Sequence, residues 1–241
     1  KMILYIAPTA TGKTLTPIGL CNEYKVIFVC AARHVGISLS RSAISSGKKV
    51  AFAFGCSCSE DIRLHYNSVS DYVKHDKTGT DIKYKDGKKK VDNTKGEKVE
   101  IMICDIKSYL YAMYYMCSFN EPKNIIMFWD EPTITLDYED HEFHNIIKDV
   151  WNKNKIPNII LSSATLPKED ELSDVITDFK SKFYDSMIYT VSSDDCKKTI
   201  PILNKYGFVE LPHYLYDDYD KICRCVFHCS EYKTILRYFD L

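Results

Sequence analysis

The chain has 241 residues, 45% of them hydrophobic and 27% charged, with a net charge of −1. These values suit a globular chain of one large domain, with or without a small appendage. They exclude a globally basic nucleic-acid binder, so any nucleic-acid contact has to come from a local patch or from backbone amides.

No apolar run approaches the ~20 residues that a membrane span needs, so no membrane partner is expected. The opening segment, KMILYIAPTATGKT, lacks the small-residue cleavage site of a signal peptide. The chain begins at Lys1 and ends at Leu241 inside an apolar-patterned stretch, and it reads as a piece of something longer. Its ten cysteines sit in a chain too long to need covalent staples. They read as free thiols in a reducing, intracellular compartment rather than as a secreted disulfide framework.

MILYIA (2–7) is a short apolar run that predicts a buried strand, ending in a Pro/Thr/Gly loop. A helix is expected over 13–22. KVIFVCA (25–31) predicts a second strand, followed by a helix over 34–46, and KVAFAFG (49–55) a third strand. VEIMICD (99–105) predicts a fourth, with a Tyr/Met-rich helix running to Cys117. NIIMFWDE (124–131) is the fifth, before a helix near 139–153, and NIILSSAT (158–165) the sixth, before a helix near 168–182. MIYTV (187–191) completes the series. Continuous apolar strands alternating with helices imply an α/β domain whose mostly parallel sheet is covered on both faces. In such sheets function gathers at the carboxyl ends of the strands.

Two stretches depart from this rhythm. Residues 74–98 are rich in lysine around Asp86-Gly87 and read as a solvated hairpin insertion. Residues 192–241 read as a linker or a small appended element.

The segment APTATGKT (7–14) fits a phosphate loop, with Ala7 where the pattern has glycine. A strand ends, successive backbone N–H groups turn inward over Thr9, Ala10, Thr11 and Gly12, and a helix begins. Lys13 then places an ammonium on the terminal phosphates, and the Thr14 hydroxyl is a Mg²⁺ ligand. The fifth strand ends in Asp130 and Glu131. Mg²⁺ takes oxygen ligands, which suits Asp130, and Glu131 is placed to orient or deprotonate an attacking water. Ser163, Ala164 and Thr165 end the sixth strand, where small hydroxyl residues can bond the acidic pair and sense a γ-phosphate.

In that order, APTATGKT, WDEPT and SSAT resemble motifs I, II and III of superfamily 2 (DExD/H-box) helicases. The Lys/Ile/Tyr-rich composition and the DEPT spelling are similar to the DEAD-like helicases of large DNA viruses. The resemblance covers roughly 1–182. It implies that 1–191 is a RecA-like P-loop NTPase domain with ATP and Mg²⁺ as cofactors and DNA or RNA as partner. It places the chain in the cytoplasm, the nucleus or a viral factory.

The family's strand-gripping loops fall at FVCAARHVGISLSRSA (28–43), which carries Ala32 and Arg33, at Gly55 and at Asp105. Motif II reads DEPT rather than DEAD or DEAH, so Pro132 and Thr133 leave the subfamily open. Motifs IV to VI, with the arginine finger, belong to a second RecA-like domain that these residues do not include, which implies slow hydrolysis by this chain alone. Two other readings fit the phosphate loop: a P-loop ATPase of another class, and a nucleotide-switched protein-binding module.

Cys56-Ser-Cys58 and Cys223-Arg-Cys225 have one-residue spacings, atypical for zinc, and read as ordinary core thiols. Tyr109, Tyr111, Tyr114 and Tyr115 read as a packed helix face.

Overall fold

The structure, a computed structural model, describes residues 1–8, 11–69, 84–85, 88–89, 95–135, 138–193, 202–203, 206, 209–211 and 218–232. Thr9 and Ala10 of the expected phosphate loop lie outside the described residues, as do most of the Lys-rich insertion and Asp137. The chain divides into two compact units: 1–6 with 13–192, and 7–12 with 193–241.

The larger unit is built on one sheet. Its strands are β1 (Met2–Ile6), β2 (Lys25–Cys30), β3 (Val50–Ala53), β4 (Arg63–Leu64), β7 (Ile101–Asp105), β8 (Ile125–Asp130), β9 (Asn158–Ser163) and β10 (Ile188–Ser192). A separate antiparallel pair joins β5 (Tyr84–Lys85) to β6 (Lys88–Lys89). The sheet order is β10-β1-β9-β8-β2-β7-β3-β4. Every neighbouring pair is parallel except β3 with β4, which is antiparallel.

The apolar runs are continuous because both faces are covered, and successive side chains alternate between two cores. Val26, Phe28 and Cys30 of β2 and Ile126 and Phe128 of β8 pack on one side with Leu39 and Ala43 of α2 (Arg33–Ser45). Ile27 and Val29, with Met127 and Trp129, pack on the other. There they meet α3 (Tyr109–Cys117), α4 (Glu142–Lys153) and α5 (Ser173–Lys182), through Met113, Val150 and Phe179 among others. The α/β class, the mostly parallel sheet and the helices on both faces match the sequence expectation.

Several boundaries differ for local reasons. The helix expected over 13–22 is a 3-10 turn, Lys13–Leu15, followed by α1 (Thr16–Leu20), which has a proline in its first turn. Pro17 lacks an N–H and fits only in a first turn, so it forces the helix to restart there. The helix expected from 139 begins at Glu142, because His141 caps it by accepting from the Phe143 N–H through Nδ1 at 3.1 Å. In α3 only part of the tyrosine face packs. Tyr109 and Tyr115 are buried, whereas Tyr111 and Tyr114 are exposed. The Tyr109 hydroxyl donates to Asn154 Oδ1 at 2.6 Å, tying α3 to the end of α4.

In the smaller unit, β11 (Ile202–Leu203) pairs antiparallel with β12 (Val209–Leu211), and α6 spans Tyr219–Tyr232.

Candidate active site

After β1 the chain passes through 7–12, where Thr11 Oγ1 donates to the Pro8 carbonyl oxygen at 2.8 Å. Gly12 has φ +91°, in the left-handed region that a side chain would disfavour. Lys13 follows at the start of the 3-10 turn and is only 6% exposed. Thr14, next along the turn, is half-buried.

β8 is buried along its whole length and delivers Asp130 at its carboxyl end, 7% exposed. Burial pushes the Asp130 carboxyl up to about 6, and the adjacent Glu131 charge adds to the shift; the Lys13 ammonium opposes both. The electrostatics therefore couple Lys13 and Asp130, which are 117 residues apart by their numbers.

Glu131 has φ +51°. A non-glycine residue pays roughly 1–3 kcal/mol for such a backbone, so the surroundings have to hold it there. Two bonds from β9 do so. The Glu131 N–H donates to the Ser162 carbonyl oxygen at 2.8 Å, and Ser163 Oγ donates to Glu131 Oε2 at 2.5 Å. Ser163 Oγ also accepts from the Thr165 N–H at 3.1 Å and lies 3.4 Å from Thr165 Oγ1. Ala164, between them, is half-buried. Glu131, Ser163 and Thr165 are thus one bonded group. Sequence reasoning did not single out Ser162, which stands opposite Asp130 in the β8–β9 register and whose buried hydroxyl favours the Asp130 charge. The doubled serine in SSAT was the available signal.

A second cluster occupies the carboxyl ends of β2, β7 and β3, which are neighbours in the sheet. Ala32, in an extended conformation, precedes the first turn of α2. Arg33 opens that helix and holds its guanidinium 5.1 Å from the centre of the Phe54 ring. Gly55 has φ +63°, and its N–H donates to Asp105 Oδ2 at 2.7 Å. Asp105 Oδ1 accepts from the Ser108 N–H at 2.7 Å, and Ser108 Oγ accepts from the Cys56 N–H at 2.9 Å. The carboxylate of Asp105 is therefore spent on backbone amides and positions the Gly55 loop. Phe54 is a contributor that the sequence did not single out.

The two carboxylates at the end of β8 are chemically distinct. Asp130 is buried and holds its proton more tightly than an ordinary aspartate. Glu131 is held in one orientation by a serine. Among the described residues, no group of three or more His, Cys, Asp and Glu side chains is arranged to hold a metal ion. No helix among the described residues is long and apolar enough to cross a membrane.

No protein-family profile matches the chain, and no curated protein does. Among solved structures it is similar to a DEAD box protein from Methanococcus jannaschii, at 16% identity and a TM-score of 0.48 over 92% of this chain and 51% of that one. It is similar to a hypothetical ATP-dependent RNA helicase from Sulfolobus tokodaii, at 18% identity and a TM-score of 0.46 over 79% of this chain and 48% of that one. A third, the DExH-box NTPase HrpB of E. coli, matches at 13% identity and a TM-score of 0.42 over 96% of this chain and 23% of that one. The chain thus spans about half, or less, of the length of the structures it is similar to.

Proposed function

We propose that the chain is the ATP-binding and ATP-hydrolysing motor domain of a superfamily 2 nucleic-acid helicase or translocase. The observation that carries this reading is the bonded group at the ends of β8 and β9. Glu131 is fixed by Ser163, beside a buried Asp130 that feels the charge of Lys13.

In this reading Lys13 and the backbone amides of 9–12 hold the phosphates, with Lys13 also stabilising charge on the terminal one. The donor set suits Mg²⁺: Asp130 and Thr14 offer hard oxygen ligands. A bound Mg²⁺ would neutralise phosphate charge as the γ-phosphoryl group leaves. Glu131 orients and deprotonates the attacking water, and Ser163 keeps that carboxylate aimed. The Ser163–Thr165 link passes the state of Glu131 to the loop after β9, the coupling role proposed for Ser163, Ala164 and Thr165. Ala32, Arg33 and Gly55 line the path of a DNA or RNA strand. Asp105 positions that path, because both of its oxygens are occupied by amides.

The test is steady-state ATP turnover with and without single-stranded DNA and RNA, beside a Glu131→Gln control. Stimulation by one nucleic acid, abolished in the control, supports the motor. Turnover that ignores every nucleic acid would favour a P-loop ATPase of another class.

A further inference from the structure

Two aromatic residues follow one another on the α2 side of the sheet. Phe52 lies in β3 and Phe54 just beyond its end. Their rings stack, with centres 6.3 Å apart and planes 27° from parallel. Both are half-buried and pack against the core on that side.

Gly36 lets the Phe54 ring reach α2. A Cβ at that position would lie 2.9 Å from Phe54 Cζ, so the glycine leaves the gap that the ring tip enters. Arg33 and Gly36 are three residues apart on α2 and therefore share a helix face. The ring admitted at Gly36 comes to lie beside Arg33, 5.1 Å from its guanidinium carbon.

Arg33 is exposed, and among the described residues it enters no ion pair. Asp105, which bonds the residue after Phe54, gives its two oxygens to the N–H groups of Gly55 and Ser108 instead. An exposed arginine ordinarily samples many rotamers, and ordering it on binding lowers affinity. A cation beside an aromatic ring is attracted to the ring's negative face. Phe54 thus restrains a guanidinium that no protein anion answers. The planar fork of donors on such a group matches a phosphate.

We propose that Phe54 is a positioning residue, which holds the Arg33 guanidinium in place for a phosphate of a single-stranded nucleic acid. This role rests on the nucleic-acid path proposed above and adds what orients it. Phe54 itself touches no phosphate and acts only through Arg33.

The experiment is a double-mutant cycle. Fluorescence anisotropy follows labelled oligothymidylate and oligouridylate titrated with the parent chain, Arg33→Gln, Phe54→Leu and the double variant, each at several salt concentrations. Arg33→Gln is expected to weaken binding and to flatten the dependence of log affinity on log salt by about 0.7, one phosphate contact fewer on a single strand. Phe54→Leu is expected to weaken binding roughly two- to fivefold, the worth of an exposed cation–ring contact. Its salt dependence stays that of the parent, because the charge remains and only its placement is lost. The double variant binds as Arg33→Gln does. Phe54→Met, which fills more of the ring's space, replaces the leucine variant if that one loses its cooperative unfolding transition.

A residue that merely packs would cost the same factor with and without Arg33, and that outcome overturns the proposal. So does a Phe54→Leu chain that binds like the parent while Arg33→Gln binds weakly. Binding that ignores Arg33→Gln overturns the phosphate role of Arg33 and leaves the nucleic-acid reading standing. A chain that binds neither oligonucleotide overturns that reading, and the role of Phe54 with it.

Discussion

Two neighbouring carboxylates have different surroundings at the end of β8, and each difference is measurable. The folded value of Asp130, about 6, lies above its ordinary 3.8, so the folded state binds the proton more tightly than the unfolded one. The resulting stability is present at low pH and is lost as pH rises through about 4 to 6. At pH 7 the bare carboxylate costs the folded chain about 3 kcal/mol. Asp130→Asn therefore raises the melting temperature by several degrees at pH 7 without Mg²⁺, and by about half as much at pH 5, while removing hydrolysis. Thermal unfolding at both pH values checks this; an equal gain at both would show that ionisation is not the cause. Ser163→Ala removes a charge-assisted bond to Glu131, worth roughly 1.5–3 kcal/mol. The expected effect is at least a tenfold fall in ATP turnover with nucleotide affinity nearly unchanged, read from kcat and an equilibrium binding titration. The residue types at these positions were legible in the sequence. The left-handed Glu131 and the bond from Ser163 were not, because both depend on β9 lying beside β8, which no local pattern encodes.

At the scale of elements, α2 packs so closely on the sheet that one position admits no side chain. A Cβ on Gly36 would lie 2.7 Å from Ile103 Cγ2, 2.9 Å from Phe54 Cζ and 3.0 Å from Cys30 Sγ. Helix propensity alone would favour Gly36→Ala by about 1 kcal/mol. The clashes with buried Ile103 and half-buried Phe54 and the tight contact with buried Cys30 reverse that sign, and overpacking of this kind costs about 1–3 kcal/mol. The variant is expected to unfold at lower urea concentration than the parent, and a higher midpoint would mean that the contact relaxes freely. Phe54 also lies under Arg33, so the same substitution disturbs the loop proposed to grip nucleic acid. β1, β2, β3, β7, β8, β9 and β10 were readable as apolar runs. β4, two residues long and antiparallel, carries too short a pattern to read. The start of α1 was in principle readable from Pro17, whose missing N–H bars it from a helix interior.

For the whole molecule, thiol chemistry separates what is packed from what is not. Burial pushes Cys21 and Cys30 up to about 12 and raises Cys104 well above its ordinary range. Cys58 and Cys223 are exposed. Brief alkylation of the native chain at pH 8, read by peptide mass spectrometry, is expected to label Cys58 and Cys223 and to spare Cys21, Cys30 and Cys104 until denaturant is added. Early labelling of Cys104 would contradict the close packing around β7. The strand order has a consequence for biosynthesis. β1, made first, pairs only with β9 and β10, whose residues begin at Asn158 and Ile188. At ~5–20 residues per second a ribosome needs roughly ten to thirty seconds to supply the first of those partners. Throughout that interval the nascent chain carries an orphan apolar strand, whereas β2 and β3 gain their shared partner as soon as β7 is made. The proposed nucleotide site is thus among the last parts of this chain to become competent, and the most exposed to aggregation or chaperone capture while it waits.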